Sequence, residues 1–190
     1  MAFGEEKTCY SMKQLKGSSI LLERLDIHHI SEEYLNWMND YEVVKFTESR
    51  YMVHTIESLK DFILHVNNES NYCFAIVDIQ SGKHIGNIKI GNIHPLYKYA
   101  DVGLIIGNKN FYGKGIATEA LKLCIEFAFK ELKLHRLWAG IYDVNIGSIK
   151  AFEKAGFVRE GCEKEKYLFE GKRINSYIYG IVNKNICPTN

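Results

Sequence analysis

From Asn110 to Ala120 the chain reads NFYGKGIATEA, with Gly113 and Gly115 around Lys114 just before a helix-forming run. Glycine costs about 0.5–1 kcal/mol against alanine in regular structure. Two of them at one helix start suggest a backbone that something approaches closely. The chemistry offered there is anion binding. The first-turn N–H groups lack partners within the helix, and the macrodipole adds roughly half a positive charge. Without a Cβ in the way, a phosphate oxygen can reach the backbone. No GK[ST] follows, so this is not a P-loop, and Thr118 stands where a GxGxxG fingerprint needs its third glycine. A tight strand–helix turn that binds nothing remains the competing reading.

Metal and disulfide chemistry find no such pattern. The cysteines (Cys9, Cys73, Cys124, Cys162 and Cys187) are odd in number, scattered and never spaced as CxxC. The histidines show no i, i+4 pairing, so no metal is expected. Cys73 and Cys124 fall in apolar periodic segments and read as small buried hydrophobes. With 24 Lys and Arg against 23 Asp and Glu, the chain has no dominant field for nucleic acid. A length of 190 residues and 46% hydrophobic content fit one domain spanning 1–190. No apolar run is long enough for a bilayer and no N-terminal apolar leader is present, which leads to the expectation of a cytoplasmic protein without membrane partners.

The elements that must position the glycine pair alternate along the chain. SSILLERL (Ser18–Leu25) reads as a strand, and Ser31 caps a short helix, EEYLNWMND. Thr55 starts another, with Ile56, Leu59, Phe62, Ile63 and Val66 on one face. NYCFAIVDI and HIGNIKIGNI flank QSGK, a hairpin built on Gly82, and YADVGLIIG is a further strand. The glycine pair opens a long helix with Ile116, Ala117, Ala120, Leu121, Cys124, Phe127 and Ala128 on its apolar face. Glu119, Lys122, Glu126 and Lys130 lie opposite. RLWAGIYDV returns as a strand, IGSIKAFEKAG is a helix closed by Gly156, and INSYIYGIV alternates as a last strand. That order makes a mixed α/β domain.

Two blocks at a fixed separation carry a resemblance. NFYGKGIATEALKLCIEFAF, then a strand, then NIGSIKAFEKAGFVREG, resembles the GNAT superfamily of acetyl-CoA-dependent N-acetyltransferases. The first block is similar to its (Q/R)xxGxG loop followed by ATEA, with Asn110 in the Gln/Arg place. The second is similar to NxxSxxxxEKxGF, with Asn145, Ser148, Glu153, Lys154, Gly156 and Phe157 in register. The ending GFVREGCEKEKYLFEGKRINSYIYGI resembles the ribosomal-protein-alanine acetyltransferase branch. The match covers roughly residues 18–182 by order of elements and is specific from about 101 to 161.

The resemblance implies a mostly antiparallel sheet with a splayed strand pair and helices on both faces, with acetyl-CoA as co-substrate. The pantetheine arm would lie in the wedge and pair with Leu104, Ile105 and Ile106. Phe111, Tyr112, Gly113, Lys114, Gly115, Ile116 and Ala117 would line the pyrophosphate, although Lys114 equally suits a solvated loop. Asn145 would meet the pantetheine or the incoming amine, and it also suits an ordinary N-cap. Asp101, where relatives carry glutamate, is the first candidate for the base that deprotonates the amine. A solvent-facing strand-edge aspartate is the alternative, and Glu160 and Glu163 are backups. The oxyanion would be held by backbone N–H groups near Ile105. Phe152 replaces the tyrosine that protonates the leaving thiolate in many relatives, which leaves Ser148 for that role unless its hydroxyl bonds only to its own helix. The acceptor side resembles enzymes acting on amino sugars of nucleotide carriers, with Trp37, Arg50, Tyr51, His54 and His94 as substrate contacts. For Trp37, packing of a helical lid is the preferred reading. A protein N-terminus is the rival acceptor, a homodimer is compatible, and a CoA-binding module without catalysis is the reading from another class.

Overall fold

The computed structural model describes residues 14–184. Its strands are β1 Leu15–Lys16, β2 Ile20–Arg24, β3 Tyr72–Asp78, β4 His84–Gly91, β5 Tyr99–Ile106, β6 Arg136–Tyr142, β7 Val158–Phe169 and β8 Lys172–Val182. The helices are α1 Glu32–Met38, α2 Tyr41–Val44, α3 Ile56–Val66, α4 Ile116–Lys130 and α5 Ile146–Ala155. All strands join one sheet in the order β1-β2-β3-β4-β5-β6-β8-β7, antiparallel throughout except at β5–β6.

Helix starts follow the capping chemistry. Ser31 accepts from the Tyr34 N–H, Thr55 and Ser58 form a reciprocal box, and Asn145 accepts from the Ser148 N–H. Gly156 ends α5 at φ 103°, a left-handed position that suits glycine. Strand alternation then sends side chains to two cores. Phe74 and Ile76 of β3 pack with α4 and α5, whereas Cys73, Ala75 and Val77 pack with α1, α2 and α3. The central strands are therefore covered on both faces, whereas no residue of β7 is buried. Burial pushes the Cys73 thiol up to about 12 and raises that of Cys124 further, so both act as hydrophobes. Cys9 and Cys187 lie outside the described residues. Among the described residues no group of side chains could hold a metal ion, and no helix is long and apolar enough to cross a membrane.

Two expectations need correction, and the polar face of α4 carries one contact that periodicity does not show. Between β2 and β3 there are three α-helices rather than two, because the Asp40 carboxylate accepts from the Glu42 N–H and restarts a helix after α1. Phe62 is 45% exposed and leaves the packed face of α3, which Leu59, Ile63 and Val66 form without it. Glu119 does not stand free on the polar face of α4. It accepts from the N–H groups of Ser18 (2.5 Å) and Ser19 (2.9 Å) and from the Ser18 hydroxyl (3.0 Å), tying α4 to the turn before β2. Partial burial pushes its carboxyl up, but these bonds outweigh that and hold it below the usual range.

Candidate active site

The parallel pair β5–β6 runs together for only three residues, ending at Asp101 opposite Trp138. Beyond that point Val102–Ile106 bond to β4, while Ala139–Tyr142 bond to β8. The two strands part, and the peptide groups of β5 that face the gap have no strand partner. A cleft of about 1230 Å³ occupies the wedge and is lined by residues from both faces of the sheet. Trp37, only 5% exposed, packs against Gly107 just past β5, where a Cβ would collide with the indole ring. That contact props the end of the splayed strand against α1.

At the mouth of the wedge, Gly113 (φ 73°) and Gly115 (φ 82°) both sit in the left-handed region. A Cβ built on either meets nothing within 4 Å. Gly115 is the N-cap of α4 and supplies no side-chain bond, unlike Ser31, Asp40, Thr55 and Asn145 at the other α-helices. The N–H groups of Ile116, Ala117 and Thr118 therefore remain available to an anion. The loop is braced from behind. Asn108 donates to Glu33 at 3.0 Å and Lys109 pairs with Asp40 at 2.5 Å, and that ammonium holds the Asp40 carboxyl below its usual range.

Alternation along the two arms divides the cleft. Leu104, Ile106, Ala139 and Ile141 belong with the α4–α5 core. Asp101, Gly103 and Ile105, with Trp138, Gly140 and Tyr142, belong to the opposite face. Asp101 lies at the apex of the wedge and lines the cleft, its carboxylate accepting from the Asn92 side chain at 2.7 Å. Asn145 and Ser148 line the α5 wall. The Asn145 carbonyl is committed to the Ser148 N–H at 3.1 Å, so its capping role is met while its amide N–H groups stay available. Phe152 is 2% exposed, stacks edge-on against Phe157 and has no proton to give.

Most of the residues expected on the cofactor side meet here. Leu104, Ile105, Ile106, Phe111, Tyr112, Gly113, Gly115, Ile116 and Ala117 line the cleft, but Lys114 does not; its ammonium lies 5.5 Å from the Phe111 ring. The expected acceptor residues are not brought to the cleft. Trp37 is buried between Gly107, Tyr34 and His84 and offers no free face to a ligand. His94 stacks between Tyr97 and Tyr99 before β5. The His54 backbone is pinned by both ends of the Asn39 amide. Arg50 stands behind the cleft wall and donates to the hydroxyls of Tyr51 (2.7 Å) and Tyr142 (3.1 Å). The backup bases are engaged elsewhere, Glu160 by Arg136 (2.7 Å) and Glu163 by Lys166 (2.7 Å). Each carboxyl is held low by its cationic partner.

In place of the expected acceptor residues, Phe46, Glu48, Tyr142 and Tyr167 line the cleft. Tyr142 could have been found from the alternation of GIYDV. Glu48 carried no periodic cue.

A splayed parallel pair beside an uncapped, glycine-led helix is an arrangement that fits an acyl-CoA, and the chain belongs to the GNAT acetyltransferase family. The family's Acetyltransferase (GNAT) domain matches residues 19–158. The probable N-acetyltransferase YjcK of Bacillus subtilis is 27% identical over 176 residues, covering 89% of this chain and 97% of that protein. The solved ribosomal-protein-S5-alanine acetyltransferase of Vibrio fischeri superposes with a TM-score of 0.81 at 22% identity, covering 93% of this chain and 100% of the other. Spermidine N-acetyltransferase of Vibrio cholerae, solved with CoA and spermine, gives 0.77 at 21% identity, covering 87% and 96%. The protein is an acyltransferase that uses acetyl-CoA as co-substrate. Its residues fit that group: an open glycine cradle for the pyrophosphate and unpaired β5 peptide groups for an amide-bearing arm.

Proposed function

We propose that this enzyme acetylates the primary amine of an amino sugar carried on a nucleotide, by direct attack of the amine on the thioester. The supporting observation is the charge and shape of the acceptor side. Aromatic faces of Phe46, Tyr142 and Tyr167 suit the C–H face of a sugar ring. Of the charged residues lining the cleft, Lys45 pairs with Glu42 and Lys109 with Asp40, which leaves Glu48 and Asp101 against Lys89, Lys150 and Lys154. That balance suits an acceptor with one ammonium and attached phosphates better than a polycation. A protein N-terminus is the second reading, favoured by the likeness to the ribosomal-protein-S5-alanine acetyltransferase fold.

Acetyl-CoA supplies the activated acyl group. An alkyl ammonium has a pKa near ~10 and an α-ammonium near ~8, so the amine must lose a proton before it attacks. Asp101, oriented by Asn92, takes that proton directly or through one water. Backbone N–H groups near Ile105 hold the developing oxyanion. Ser148 donates to the departing thiolate, the role that Phe152 cannot fill. Lys114 balances the pyrophosphate charge from outside the cleft wall.

A panel of nucleotide-linked amino sugars, alanine-initiated peptides and spermidine, scored by release of free thiol, tests the reading. The amino sugar nucleotide should give the highest kcat/KM. Preference for the peptide would replace it with the second reading. Acetyl-CoA binding without thiol release from any amine would leave a non-catalytic binding module.

A further inference from the structure

The acceptor wall is assembled from three distant stretches. Glu48 begins a 3-10 turn after α2, Tyr142 ends β6, and Tyr167 lies on β7. The Tyr142 hydroxyl donates to Glu48 Oε1 at 3.1 Å and accepts from Arg50 Nη1 at 3.1 Å. Its ring is 4.5 Å from that of Tyr167 and lies edge-on to Phe46 at 6.3 Å. Arg50 spends further donors on the Lys45 carbonyl (2.8 Å) and the Tyr51 hydroxyl (2.7 Å), so it braces the wall from behind. Glu48 stands in front. It lines the cleft, and among the described residues no Lys, Arg or His pairs with it.

Register fixes where this carboxylate falls. Tyr142 is four residues beyond Trp138, and Ile105 is four beyond Asp101, its parallel partner. Glu48 therefore hangs beside the β6 arm at the height of Ile105, while Asp101 sits at the apex. A carboxylate held by a phenol and walled by aromatic faces is a receptor for an alkyl ammonium: the charge is met by the carboxylate and the adjoining carbon by the rings.

We infer that Glu48 binds the acceptor's ammonium group, with Tyr142 as the residue that positions it. The inference rests on the proposed primary-amine acceptor, and it separates two tasks. Glu48 captures the amine as a cation, and Asp101 receives the proton when the amine turns toward the thioester.

The test uses the full chain and whichever of glucosamine linked to a nucleotide, an alanine-initiated peptide or spermidine the wild-type enzyme acetylates best. Glu48→Gln keeps the shape and removes the charge, so KM for the amine should rise about tenfold or more while KM for acetyl-CoA stays within twofold. Glu48→Asp should recover part of the loss. Tyr142→Phe leaves the charge in place and should raise the amine KM by a smaller factor. An unchanged amine KM in Glu48→Gln, or equal rises for both substrates, would overturn the assignment while leaving the transferase reading intact. A wild-type enzyme that releases no thiol with any of the three amines would instead overturn the reading beneath it.

Discussion

Gly115 does two things that can be separated. Its φ of 82° favours a residue without a Cβ, and its open side leaves room for an anion. Gly82, in the β3–β4 turn, has a similar φ of 66° and equally open space, but it lies outside the wedge. Valine at either position should therefore cost about 1–2 kcal/mol of stability from left-handed strain. Only Gly115→Val should also weaken acetyl-CoA, by tenfold or more, about 1.4 kcal/mol. Calorimetry on both variants decides. Equal affinities in the two would mean that the glycine serves the turn alone. The glycine pair was legible in sequence because both of its reasons, backbone conformation and close approach, are local. Glu48 was not, because its meaning comes from Tyr142 and Tyr167, far along the chain.

Among the elements, α4 carries the site and must be held in place while its N-terminus stays free of side-chain caps. Glu119, in its first turn, anchors it to the turn before β2 through Ser18 and Ser19. Its carboxyl lies below the unfolded value of about 4.3. The anchor therefore contributes fully above that pH and is lost as pH falls through the lower, folded value. Glu119→Gln should lower Tm at neutral pH by a few degrees, for about 1 kcal/mol or less given its partial exposure. The gap to wild type should close on acidification. A gap that stays constant down to pH 3 would mean that the carboxylate's charge contributes nothing. Helical periodicity placed Glu119 on the outer face of α4 correctly but could not reveal the backbone waiting there. The caps at Ser31, Thr55 and Asn145 were readable because each partner lies three residues away. The extra helix α2 escaped because, at four residues, it shows no period.

For the whole molecule, the order of strands and helices was legible apart from β1, α2 and the extent of β7, and with it the mixed sheet. What the sequence hid was the side of the sheet that each loop reaches. The histidines and Arg50, expected to touch acceptor, lie behind or beyond the wall, while β7 and the turn after α2 bring Tyr167 and Glu48 to the cleft. The central claim is that acetyl-CoA fills the wedge where β5 leaves β6, with its phosphates on the start of α4. Amide hydrogen exchange with and without acetyl-CoA measures this directly, because the β5 peptide groups facing the gap and the first N–H groups of α4 lack partners in the free chain. Acetyl-CoA should slow exchange in two stretches, Leu104–Ile106 and Gly113–Thr118, and leave β2 and β3 unchanged. Protection confined to other segments, or none at saturating acetyl-CoA, would contradict the account.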